Sequence, residues 1–145
     1  AQPTSALTQQ QFTYLRELRS YIREEAGWIR TLTDAIQRGV AGEETATEVG
    51  RTVADVSAPY RAEIARMRGL DVPEGCEAVG AALMTETDAA EAYLAALARW
   101  TAAGQVGISL LRENAGEEVH QTLEPFLTAR DAFEQAYTEA ARLLE

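Results

Sequence analysis

"YLRELRSYIREEAGWIRTLTDAI" (residues 14–36) decides the fold. Leu15, Ile22, Ile29 and Ile36 fall seven residues apart, and Leu18 and Leu32 take the complementary seam positions. Apolar residues recurring every three and four positions mark one face of an α-helix. Sustained over four heptads, they predict a helix that packs along its whole length. The pattern places this first helix from about Ser5 to Val40. Tyr14, Tyr21 and Trp28 form a second stripe beside the isoleucines. They are the first candidates for a contact surface wherever the core does not use them.

The same period returns three times downstream. After "VAGEET" (40–45), a second seam runs through Ala46, Val49, Val53, Val56, Tyr60, Met67 and Leu70. "RGLDVPEG" (68–75) breaks it, with Gly69 suited to a C-cap and Pro73 to a helix start. Cys76, Val79, Leu83, Ala90, Tyr93, Leu97 and Trp100 make the third seam, and "AAGQVG" (102–107) turns the chain again. The fourth runs through Ile108, Leu111, Ala115, Val119, Leu123, Phe126, Phe133, Tyr137, Ala140 and Leu144. "ENAG" (113–116) offers a break in it, with a last helix from Glu117 as the alternative. No run alternates with period two, so strands are not expected. Met67 and Met84 read as gap-fillers in the seams.

Short connections make successive helices antiparallel. The expected fold is therefore all-α: one domain over residues 1–145, an antiparallel up-down-up-down four-helix bundle. Folding the chain back near residues 41, 72 and 105 gives long first and last helices, each roughly 50 Å, and a shorter middle hairpin.

The net charge is −10, and all thirteen basic residues are arginines, so lysine chemistry is absent. An acidic surface repels phosphate backbones, which argues against nucleic acid. No segment approaches the ~20 apolar residues of a membrane span. One cysteine, Cys76, leaves no internal disulfide, and on an apolar face it reads as an inert buried thiol. The opening "AQPTSALTQQ" is what cleavage after a signal peptide would leave, so export is the expectation.

His120 is the only histidine, three residues after Glu117. That is the spacing of a carboxylate-bridged di-iron ligand pair, but the motif needs a second copy on another helix. The neighbours of His120 on its own face include Glu113, Glu117 and Glu124, so the stripe reads as solvated.

More informative are charges at seam positions. Glu25 falls between Ile22 and Ile29, Glu63 between Tyr60 and Met67, Glu86 between Leu83 and Ala90, and Arg130 between Phe126 and Phe133. The fold-back sets Glu63 level with Arg130, as an interior ion pair. It sets Glu25 level with Glu86 and Glu124, as a carboxylate layer able to hold a metal or other cation. Pro59 and Pro125 fall in the same layer. The competing reading has each glutamate at its seam's edge, reaching water while Ala26, Ile64 and Ala129 make the core contacts.

No phosphate loop, nucleophile–His–acid set or zinc ligand set is present, and no cofactor is implied. The expected function is a non-enzymatic acidic bundle that binds a protein partner or another copy of itself. The alternatives are a cation-binding bundle built on Glu25, Glu86 and Glu124, and an acidic chaperone or inhibitor of a basic partner.

Overall fold

The computed structural model describes residues 8–107 and 109–144, which form four helices: α1 (Gln9–Val40), α2 (Ala46–Arg68), α3 (Glu77–Val106) and α4 (Ser109–Leu144). The expected start near Ser5 and the side chains of Ile108, Leu111 and Leu144 lie outside the described residues. Cross-helix pairs run in opposite directions at every neighbouring interface. Glu17 meets Arg66 while Gly39 abuts Val49; Arg68 meets Thr87 while Gly50 abuts Thr101; Arg99 meets Glu118 while Tyr93 stacks on Phe126. Tyr21 against Phe133 and Glu25 against Arg130 close the ring between α1 and α4. The bundle is therefore antiparallel throughout. Its interface is broadest between α3 and α4 and thinnest between α1 and α4.

Local signals set the helix ends. Thr8 and Thr45 each cap a helix through a reciprocal capping box, with Gln11 and Glu48 as the returning side chains. Gly69 caps α2 as the sequence suggests. Pro73 does not start α3, which begins four residues later at Glu77, because Gly75 at φ +91° first turns the chain. α3 continues through most of "AAGQVG" and stops only at Gly107, in the left-handed region at φ +76°. The middle hairpin is thus short in α2 alone.

Neither "ENAG" nor Pro125 interrupts α4, and Pro59 lies inside α2 in the same way. Both prolines are exposed, so the carbonyl each leaves unbonded faces water. Each immediately precedes a fully buried aromatic, Tyr60 or Phe126.

In α1 the buried centre is not the isoleucine seam. Tyr14, Leu15, Leu18, Tyr21, Glu25, Leu32 and Ala35 are buried, whereas the later seam members Ile22, Ile29 and Ile36 are only partly so. The helix is rotated so that Tyr14 and Tyr21 point inward and the isoleucines pack at the edge of the core. Tyr14 and Tyr21 are therefore core residues, which removes them as a contact surface. Trp28, half-buried, stacks on Tyr60 with ring centroids 4.9 Å apart. Met67 fills the core, but Met84 is exposed and fills nothing. Among the described residues, no helix is long and apolar enough to cross a membrane.

Candidate functional site, an interior carboxyl network

Glu25 on α1 and Glu86 on α3 are both completely buried. The helix rotation that turns Tyr21 inward brings Glu25 with it, because the two are four residues apart on one face. Neither carboxyl reaches water along its own methylenes, and Ala26, which that arrangement required in the core, is exposed.

The two acids meet at a tyrosine. The Tyr21 hydroxyl lies 3.0 Å from Oε2 of Glu25 and 3.0 Å from Oε2 of Glu86. Tyr60, from α2, donates to the same Glu25 oxygen through a very short hydrogen bond. Arg130, from α4, donates its Nε–H to Glu25 Oε1 at 3.1 Å. All four helices thus contribute to one network. The remaining oxygen, Glu86 Oε1, is buried without a hydrogen-bond partner among the described residues.

Counting protons requires one of the two carboxyls to be neutral. Tyr21 has one hydroxyl hydrogen and cannot donate to both carboxyls. If it donates to Glu25, its own oxygen accepts from Glu86, so Glu86 must carry a proton. Glu25 then accepts from Tyr21, Tyr60 and Arg130 as the carboxylate, and the guanidinium balances its charge. Electrostatics point the same way. Burial first, then the hydrogen bond and the repulsion from Glu25, push the Glu86 carboxyl up to about 10 against the opposing pull of Tyr21 and Arg130. Burial and the two carboxyls likewise hold the Tyr21 and Tyr60 phenols far above their usual range.

The other sequence candidates lie elsewhere. Glu63 does not pair with Arg130. It is half-exposed and chelates Arg66, which also reaches Glu17, while Ile64 takes the core position. Arg130 pairs instead with Glu25 and, four residues on, with Glu134 at 2.9 Å. Glu124 is exposed and stands outside the Glu25–Glu86 layer, so the three carboxylates do not assemble into a metal-ligand set. Among the described residues, no group of three His, Cys, Asp or Glu side chains is placed to hold a metal ion. At Glu25 itself the cation is supplied by Arg130. His120 and Glu117 are exposed on the outer face of α4. Cys76 is buried, and burial raises its thiol above the ordinary value.

Tyr21 and Tyr60 are the network residues that seam reading alone does not identify as hydrogen-bonding partners. One signal was present: a tyrosine four residues before a seam glutamate, on the same face. The fold and site define an all-α four-helix bundle with a buried carboxyl–phenol–guanidinium network. Comparison with protein-family models, with curated proteins and with solved structures finds no match for this chain.

Proposed function

We propose that the chain is a non-enzymatic binding module that meets a basic protein surface through the acidic side formed by α3 and α4. The observation that carries this reading is the uneven distribution of charge around the ring. Leaving out the buried Glu25 and Glu86, α1 and α2 hold nine arginines against six acids, whereas α3 and α4 hold four arginines against ten. α3 and α4 are also the most tightly joined pair, although Asp88 and Glu91 of α3 turn to Arg68 of α2.

The densest part is the outer stripe of α4. Glu113, Glu117, Glu124 and Asp131 are all exposed on one helical face, with the exposed Leu127 among them. Carboxylates around an exposed leucine suit a basic partner with an apolar contact at its centre. The α1–α2 side of a second copy carries the complementary sign, so self-assembly belongs to the same reading. The interior network supports a non-enzymatic role. Its carboxyls have no exposure, so a substrate would have to part the helices to reach them.

The test is a charge-neutralised variant, Glu117→Gln, Glu124→Gln and Asp131→Asn combined. These are exposed positions, where substitutions usually change stability by less than ~0.5 kcal/mol. Wild-type and variant proteins are immobilised and exposed to the source extract, and sedimentation velocity follows self-association. Partners or self-association should be retained by the wild type at low salt. They should be lost in the variant, and lost again when salt shortens the screening length to roughly 3 Å at 1 M. Binding that survives both changes would place the docking surface elsewhere.

A further inference from the structure

α1 and α4 carry opposite charges at the same spacing. Arg16, Arg23 and Arg30 fall seven residues apart on α1, and Glu117, Glu124 and Asp131 fall seven apart on α4. Two residues along a helix amount to about 200° of turn. Arg23 stands two after the buried Tyr21, and Arg30 two before the buried Leu32, so both point away from the core. Glu124 and Asp131 stand two before the buried Phe126 and Phe133 and point outward in the same way. None of these four exposed charges is ion-paired among the described residues. Because α1 and α4 adjoin, the two stripes share one face of the bundle.

Their heights match as well. Tyr21 lies against Phe133. Counted from that contact along antiparallel helices, Arg23 is level with Asp131, Gly27 with Leu127, and Arg30 with Glu124. Leu127 is 47% exposed between the two acids. On α1, Arg23, Ala26, Gly27 and Arg30 outline the four-residue hole that receives such a knob when helices pack. Ala26 and Gly27 are exposed and small, and a Cβ on Gly27 would meet no atom within 4 Å, so the hole stands open.

A twofold axis parallel to the bundle keeps every residue at its own height and sets α1 of one copy against α4 of the other. Resting on the acidic α4 reading above, we propose that the partner for this face is a second copy of this chain. Leu127 of each copy enters the hole on α1 of the other, Glu124 meets Arg30, and Asp131 meets Arg23. The contact occurs twice, once on each side of the axis, and it pairs charges that one chain alone leaves exposed. A generic basic protein would supply charge, but it needs neither this register nor the hole on α1.

The test is a charge swap followed by sedimentation velocity of the full chain at low salt. Arg23→Glu with Arg30→Glu makes the α1 stripe acidic, like that of α4. Glu124→Arg with Asp131→Arg makes the α4 stripe basic, like that of α1. The wild type should dimerise, and each variant alone should weaken the dimer about a hundredfold or more. An equimolar mixture should restore it, because every acidic stripe then faces a basic one, whereas a folding defect would not be repaired by mixing. A dimer that persists in both variants would overturn the proposal, as would folded variants that stay monomeric when mixed. So would a wild type that is monomeric at roughly 0.5 mM, where even a millimolar Kd would show, whether or not the variants fold. If a basic protein were then still captured through α4, only the choice of partner would fall; if none were, the acidic docking reading would fall with it.

Discussion

Replacing Glu25 by alanine is expected to cost about 3–5 kcal/mol of folding stability, the range for breaking a buried charge pair from one side. The loss reaches two other helices at once. Arg130 is left partly buried without its interior carboxylate, and Tyr60 and Tyr21 lose the acceptor they share. A shorter side chain also leaves a void among Tyr21, Tyr60 and Phe133, all fully buried. Urea unfolding should show a much lower midpoint with an unchanged slope. Glu25→Gln should be milder, because an amide oxygen still accepts from Tyr60, yet it forfeits the charge that holds Arg130. If Glu25→Ala cost less than about 1 kcal/mol, the network would not be holding the helices in register.

Glu86→Gln should act in the opposite direction. The folded protein holds a proton on Glu86 that the unfolded chain releases near the ordinary carboxyl value of 4.5. Between there and about 10, the folded state binds one more proton than the unfolded state. Stability from this group is therefore complete below the lower value and falls by ~1.4 kcal/mol per pH unit as pH rises through the window. Among the groups facing Glu86, Glu25 on α1 disfavours a second negative charge, while the Tyr21 hydroxyl and Arg130 on α4 favour it without reversing the effect of burial.

Glutamine keeps the neutral form at every pH. The variant should fall ~1 kcal/mol below the wild type near pH 4, exceed it by ~1–3 kcal/mol at pH 7, and lose much of the alkaline decline. The gain is smaller than linkage alone allows, because the amide brings a second N–H that the site does not pair. Thermal unfolding of both proteins across that pH range measures it. Parallel profiles would mean that Glu86 titrates like an exposed carboxyl.

Much of this architecture is legible in the chain, and the reason is period. Long apolar repeats bounded by "VAGEET", "RGLDVPEG" and "AAGQVG" admit one packing, and short turns settle its direction. What period does not reveal is helix rotation. α1 carries two adjacent apolar stripes, and the choice between them depends on partners from other helices. Tyr21 points inward because Glu25 and Glu86 receive its hydroxyl, whereas Ile22 beside it has no such constraint.

The same limit separates the charged seam positions. Fold-back arithmetic put Glu25 and Glu86 at one depth, and the structure joins them through Tyr21. It also put Glu63 beside Arg130, because a depth good to one turn cannot say which carboxylate a long guanidinium side chain will reach. Glu63 has Arg66 three residues away on its own helix, whereas Glu25 is buried opposite Arg130, its one cation among the described residues. Glu124 was placed at that depth too, but it lies exposed on α4, where Arg130, six residues further on, is the residue that reaches Glu25. The charge asymmetry between the two helix pairs could be counted from the sequence, but its meaning required knowing which helices adjoin.

Carboxyl ¹³C chemical shifts of the glutamates, followed by NMR from pH 4 to 11, test the interior network most directly. The account predicts that Glu86 carries the signature of a neutral acid at pH 7 and titrates near 10, with its transition abolished in Glu86→Gln. Two ionised carboxylates at Glu25 and Glu86 at pH 7, with Glu86 titrating in the ordinary acid range, would contradict it.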